Sequence, residues 1–162
     1  MFKIGDTVSC SGFGIGIIVD IENQDLGGRS MDFYVVGDLQ NTDKIKISTT
    51  TKGKLRGLLN KSEMETIVTF LKTEGDSPIK GNNRTFYLNL LNEFKTGDLE
   101  KMARVLKSLT LKNEQRKLRV EEKKLYDRVK EQISTEMAFV YDMSPLDAKS
   151  YLEKTLMMDQ QS

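Results

Sequence analysis

The chain has 162 residues and contains no histidine, no tryptophan and one cysteine, Cys10. Without histidine, the serine–histidine and cysteine–histidine catalytic pairs are excluded, and so is histidine-ligated zinc. A single cysteine forms neither an intrachain disulfide nor a four-thiolate metal site. We therefore expect a protein that is not an enzyme and holds no metal or cofactor, with Cys10 as a small buried apolar residue.

Long apolar runs are also missing, because no stretch approaches the ~18 apolar residues that cross a bilayer. The amino terminus lacks the basic region, apolar core and cleavage site of a secretory signal. Hydrophobic residues make up 38% of the chain and charged residues 30%, which is typical of a globular protein. We expect a cytoplasmic protein without a membrane partner.

Up to about residue 59, the sequence has the pattern of short strands separated by turns. Apolar and β-branched residues predict strands over residues 7–10, 15–21, 32–36 and 44–47, with a turn over residues 25–28. Closely spaced short strands favour a small, strongly bent barrel. The run Gly12–Phe13–Gly14–Ile15–Gly16 leads into a strand, whereas a phosphate-binding loop leads into a helix, so we interpret these glycines as bends.

From residue 60 onward the pattern becomes helical. Ser62 and Glu65 have the spacing of a capping box, and a second helix is predicted over residues 83–95. Asp98 is expected to cap a third helix, and Ser144 a fifth. The predicted fold class is α+β: a small β-barrel over residues 1–59, followed by a compact bundle of about five helices over residues 60–162.

The net charge of +1 conceals an uneven distribution. Residues 101–130 contain eleven Lys and Arg residues against four acids, whereas residues 131–162 contain two against six. One interpretation is a solvated helical face, and the other is a basic ridge that contacts a phosphate backbone. Both stay open at this point.

The motifs resemble the CarD/CdnL family of bacterial RNA-polymerase-binding transcription regulators. The resemblance begins with the sequence FKIGDTV at residues 2–8 and GIIVDIE at residues 16–22. It continues through residues 33–36, 45–47, 94–101, 113–116 and 122–128, so it covers nearly the whole chain in order.

This resemblance implies a Tudor-like barrel that docks on the RNA polymerase β subunit, and Gln24, Lys44 and Lys46 are the candidate contacts. Relatives often carry Arg at the positions of Gln24 and Lys46, so either the partner surface differs here or docking is weaker. The helical domain is implied to lie on promoter DNA near the upstream edge of the transcription bubble and to stabilise the open complex. A tethered domain needs only weak DNA contacts, and the protein is expected to act as a monomer.

The candidate DNA-binding residues are Asn83, Arg84, Phe86, Lys112, Arg116, Arg119 and Lys123. The family inserts a Trp into the minor groove, and its place in this chain is Asn83. Asn cannot act as an aromatic wedge, so the wedge is lost or Phe86 partly replaces it. Asn83 then either donates to minor-groove acceptors, with Arg84 adding charge, or only caps a helix together with Asn82. Arg119 stands where relatives have a Ser cap. The alternative function is a polymerase-binding adaptor that has lost its DNA wedge.

Overall fold

A computed structural model describes residues 1–40 and 42–158. The chain divides into a first unit, Met1–Leu58, and a second that begins at Leu59. The described part of the first unit contains strands and that of the second contains helices, so the α+β class is confirmed.

The first unit is an antiparallel sheet of five strands in the order β4-β3-β2-β1-β5. The strands are β1 (Thr7–Cys10), β2 (Gly14–Leu26), β3 (Arg29–Asp38), β4 (Lys44–Ser48) and β5 (Leu55–Gly57). The four predicted strands are confirmed, although β2 and β3 are longer than expected, and β5 had no clear pattern. Among the described residues, pairing ends at β4 on one side and β5 on the other, so the predicted barrel closure is not found.

Glycines allow the sharp turns and the close packing of this sheet. Gly27 and Gly28, with φ of +62° and +85°, form the two-residue turn between β2 and β3, so the predicted four-residue turn is shorter than expected. A Cβ atom on Gly16 would lie 2.7 Å from the Gly37 carbonyl oxygen, which explains a glycine inside β2. The glycine run therefore leads from β1 into β2, as the sequence predicted.

One face of the sheet forms the core of the first unit. Tyr34 and Val36 on β3 lie opposite Ile47 and Ile45 on β4, and Tyr34 makes an edge-on contact with Phe2 at 5.8 Å between ring centroids. The buried residues of this core are Val8, Cys10, Ile18, Tyr34, Val36 and Ile47. Burial raises the pKa of the Cys10 thiol, in keeping with its interpretation as an apolar residue.

The second unit contains five helices over the described residues. They are α1 (Lys61–Lys72), α2 (Thr85–Phe94), α3 (Leu99–Gln115), α4 (Val120–Val140) and α5 (Pro145–Met158). Asp98 accepts a hydrogen bond from the Glu100 N–H, and Ser144 accepts one from the Asp147 N–H, so both predicted caps are confirmed.

Two predicted helix starts are wrong by about two residues. Asn60, and not Ser62, forms the capping box of α1: its side chain accepts from the Glu63 N–H, and Glu63 accepts from the Asn60 N–H. Helix α2 begins at Thr85 because the Asn82 side chain accepts from the backbone N–H groups of Arg84 and Thr85. Asn83 therefore precedes the helix that it was expected to begin.

The apolar positions spaced at helical intervals meet in one core. The buried residues at these positions are Met64, Ile67, Val68, Leu71, Leu90, Phe94, Met102, Val105, Leu106, Leu109, Leu125, Val129, Ile133, Met137, Ala148, Leu152 and Leu156. Tyr87, Leu91 and Val140 are partly buried against the same core. This packing holds the α3–α4 junction, where most of the candidate DNA-binding residues lie.

Candidate functional site

The three candidate polymerase contacts share one face of the sheet. Lys44 and Lys46 on β4 lie opposite Gly37 and Val35, and Gln24 on β2 lies opposite Met31. Residues directly opposite each other point to the same side of a sheet, and so do residues two positions apart on one strand. Met31, Val35 and Gly37 on β3 therefore share one side with the residues opposite them. We name this side, which faces away from the core, the outer face. The structure thus places Gln24, Lys44 and Lys46 on one surface.

An ion pair crosses the outer face. Lys46 Nζ on β4 lies 2.7 Å from Glu22 Oε2 on β2, and the two side chains are 49% and 37% exposed. The pair spans β3, because β3 separates the two strands in the sheet. The charge of Lys46 is therefore shared with Glu22, whereas Lys44 is exposed without an ion pair among the described residues.

In the second unit, internal contacts occupy much of the basic segment at residues 101–130. Arg104 pairs with Glu93, and Lys107 donates to the carbonyl groups of Phe70 and Thr73 at the end of α1. Exposed Lys123 pairs with Asp127 four residues along α4. Because these three cations already have partners within the protein, the basic segment is not a continuous row of unpaired charges.

Lys112 is part of this internal network. Its Nζ lies 2.5 Å from Glu122 Oε2 and 5.0 Å from the centre of the Phe86 ring. The Glu122 side chain is 2% exposed and that of Lys112 is 22% exposed. Releasing Lys112 to a phosphate would leave a buried carboxylate without its cation, which is costly. The geometry therefore disfavours the predicted DNA contact of Lys112.

Glu122 also orders the start of α4. Its Oε1 accepts a hydrogen bond from the Arg119 backbone N–H at 2.9 Å, which is one half of a capping box. Burial acts to raise the pKa of Glu122, but the hydrogen bonds from Lys112 and Arg119 outweigh it and lower the pKa. Arg119 is thus the N-cap residue of α4, and Glu122 holds its backbone N–H.

Three cations remain exposed in the short segment between the helices, residues 116–119, which we call the α3–α4 turn. Arg116, Lys117 and Arg119 are exposed, and their side chains make no ion pair among the described residues. Leu118 between them is buried in the core and anchors the segment from inside. Lys117 was not among the candidate DNA-binding residues, although its position in the sequence between Arg116 and Arg119 could have indicated it.

An open cleft of about 400 Å³ adjoins the α3–α4 turn. Its walls are the segment before α2 and the last turns of α3, and they bring together the candidates Asn83, Phe86, Lys112 and Arg116. The other lining residues are Gly75, Asp76, Ser77, Ile79, Lys80, Gly81, Asn82, Ser108, Leu111 and Gln115. Residues about 30 apart in the sequence meet here, which local patterns do not reveal.

The three candidates near the start of α2 differ in their surroundings. Asn83 and Arg84 are exposed, whereas Phe86 is half-buried and packs against the core of the second unit. A wedge must leave its own protein to enter a base step, and Phe86 would have to give up its core packing to do so. Arg119 and Lys123 do not line the cleft.

Comparison with known proteins matches both units. The family model described as "CarD-like/TRCF RID domain" matches residues 2–59, and "CarD, C-terminal domain" matches residues 66–153. The chain belongs to the CarD/CdnL family of transcription regulators. A relative from Bacillus subtilis (strain 168), named "Putative transcription factor YdeB", is 25% identical over 154 residues, covering 93% of this chain and 99% of the relative.

The two CarD matches contain every candidate residue. The first includes the outer face with Gln24, Lys44 and Lys46, and the second includes the cleft and the α3–α4 turn. No group of acidic and cysteine side chains with the arrangement of a metal site occurs in the described part of this CarD protein. None of its described helices combines the length and the apolar character needed to cross a membrane.

Proposed function

We propose that this CarD-family protein docks on the RNA polymerase β subunit and stabilises the open promoter complex through weak DNA contacts. It does so as a bacterial cytoplasmic monomer without catalysis. The observation that carries the DNA half is the exposed cation cluster of Arg116, Lys117 and Arg119. The family match over residues 2–59 supports the polymerase half.

Docking uses the outer face of the sheet. Gln24, Lys44 and Lys46 present one amide and two cations on a single rigid surface, which suits an acidic patch on the β subunit. Because Lys46 shares its charge with Glu22, we expect moderate affinity, and rearrangement of this pair accompanies docking.

DNA contact uses the α3–α4 turn, helped by exposed Arg84 and Asn83 near the minor groove and by Lys123. Three or four cations bind duplex DNA weakly at physiological salt. Docking on polymerase raises the local concentration of the second unit at the promoter, so weak contacts are enough to slow bubble closure. Lys112 supports this surface from inside through Glu122.

A footprint of RNA polymerase on promoter DNA, with and without the protein, tests the proposal. We expect added protection at the upstream edge of the bubble, and we expect Arg116→Ala/Arg119→Ala to remove it. An unchanged footprint would remove the DNA half of the proposal, and polymerase pull-down would then decide whether docking survives.

The second candidate function is a polymerase-binding adaptor without DNA engagement. It is favoured by Asn83 at the wedge position and by the half-buried position of Phe86. The lifetime of the open complex, measured with the wild type and with Asn83→Trp, separates the two functions. A wild-type adaptor leaves this lifetime unchanged. A wild-type stabiliser extends it, and Asn83→Trp extends it further because of the added aromatic ring.

A further inference from the structure

The cleft beside the α3–α4 turn has binding groups that the protein itself does not use. Lys80, Asn83, Gln115 and Arg116 all line it, and their exposed side chains have no hydrogen-bond or ion-pair partner among the described residues. Two of them are amides and two are cations. A folded protein that keeps such groups unpaired around one concave site has them available for a ligand.

The floor and walls of the cleft are partly apolar. Ile79 is buried, and Phe86 and Leu111 are half-buried, so each offers only part of its surface to the cleft. Asp76 also lines it and supplies an acceptor. A flat apolar ring with polar edges fits against such a wall, while the amides and the carboxylate hydrogen-bond its edge.

The volume of about 400 Å³ suits one small ligand and not a duplex. Lys80 and Arg116 provide charge for a phosphate group, and Lys112 contributes less because Glu122 holds it. The cleft adjoins the surface that we assign to DNA at the edge of a bubble, where bases leave the stack. Base unstacking there exposes the kind of group that the cleft accepts.

We propose that this cleft binds a single unstacked nucleotide, with the base against Phe86 and the amides of Asn83 and Gln115, and the phosphate near Arg116 and Lys80. This inference rests on the proposed function, since promoter DNA is the expected source of the nucleotide. The chain would thus hold a melted base in a cleft, in place of the wedge that it lacks.

The test compares three probes with the full-length chain. They are a labelled DNA duplex, the same duplex with a short central mismatch bubble, and free dAMP as competitor. Anisotropy titrations are run for wild type, Asn83→Ala/Gln115→Ala, and Asn113→Ala. Asn113 is a matched control, because it is an exposed amide on α3 outside the cleft.

We expect wild type to bind the bubble about tenfold more tightly than the duplex, a difference typical of one base bound by stacking and edge contacts. Asn83→Ala/Gln115→Ala should bind the bubble no more tightly than it binds the duplex, while Asn113→Ala keeps the preference of the wild type. Competition by millimolar dAMP for the bubble, but not for the duplex, would support a site for one nucleotide that also accepts it from solution.

Equal affinity of wild type for bubble and duplex would overturn this inference and leave the proposed DNA contact intact. Retention of the bubble preference by the amide variant would overturn it in the same way. Binding to neither DNA would overturn this inference. The footprint on polymerase-bound promoter DNA would then decide the proposed function, because a tethered domain needs only weak DNA contacts.

Discussion

Lys112 Nζ on α3 lies 2.5 Å from Glu122 Oε2 on α4, and this ion pair joins the two helices across the α3–α4 turn. The same carboxylate accepts the Arg119 N–H, so one buried group fixes both sides of the turn. The exposed cations Arg116, Lys117 and Arg119 are thus presented on a segment held from inside. Lys112 thus stabilises, through Glu122, the segment that carries these exposed cations.

Lys112→Met should lower the free energy of unfolding by about 3 kcal/mol, because it leaves the buried Glu122 carboxylate without its cation. Lys123→Met is the matched control, since it removes an exposed pair with Asp127 and should cost less than about 1 kcal/mol. Urea unfolding measures both. Equal losses of unfolding free energy in the two variants would show that the Lys112–Glu122 pair stabilises the fold no more than the exposed Lys123–Asp127 pair does.

Acid should selectively weaken the contribution of Glu122. Its folded-state pKa is lowered below the unfolded value of about 4.3, so its stabilisation is full above that value and is lost as pH falls through the folded-state pKa. The stability difference between wild type and Glu122→Gln should therefore hold from about pH 7 to 5 and shrink below about pH 4.

Urea unfolding at pH 7, 5 and 3.5 measures this difference, with Glu121→Gln as the control. Glu121 is the exposed neighbour on α4, and its substitution should change stability little at any of these values. A Glu122→Gln difference that grows on acidification would contradict the assigned direction of the pKa shift.

The α3–α4 turn should determine how DNA binding depends on salt. Arg116→Ala and Arg119→Ala should each reduce the slope of log affinity against log salt by about one, the amount expected for one lost phosphate contact. Lys101→Ala removes an exposed lysine at the other end of α3 and serves as the control. Lys112→Met should leave the slope unchanged, whereas a reduced slope would return Lys112 to the DNA contacts.

The outer face should respond to charge changes in opposite directions. Lys46→Glu should abolish pull-down of the polymerase β subunit, while Glu22→Gln should strengthen it severalfold because Lys46 is released from its ion pair. Lys52→Glu changes an exposed charge outside the strands and is the control. Normal pull-down by Lys46→Glu would remove this residue from the docking surface.

Much of the fold was predictable because its signals are local. The spacing of Met64, Ile67, Val68 and Leu71 indicates the buried side of a helix whatever its neighbours are. The choice of cap was not predictable in the same way. Both Asn60 and Ser62 are followed by a Glu three residues later, and only the packed helix shows that the first pair forms the box.

The candidate site was less accessible to sequence reasoning because it depends on contacts between distant residues. Lys112 and Arg116 look alike in the sequence, but Glu122 neutralises one and leaves the other exposed. The same holds for the cleft, where Lys80 and Gln115 meet through packing of α3 against the segment before α2. Counting charges in the sequence predicts the sign of the charge in a segment, but the packed structure determines which of those side chains are exposed and unpaired.

The lifetime of the open promoter complex after heparin challenge tests the central claim most directly. We predict that the wild-type protein lengthens this lifetime, and that Lys46→Glu and Arg116→Ala/Arg119→Ala each remove most of the gain, because tethering and DNA contact are both required. A wild-type protein that leaves the lifetime unchanged, or a Lys46→Glu variant that keeps the full gain, would contradict the account.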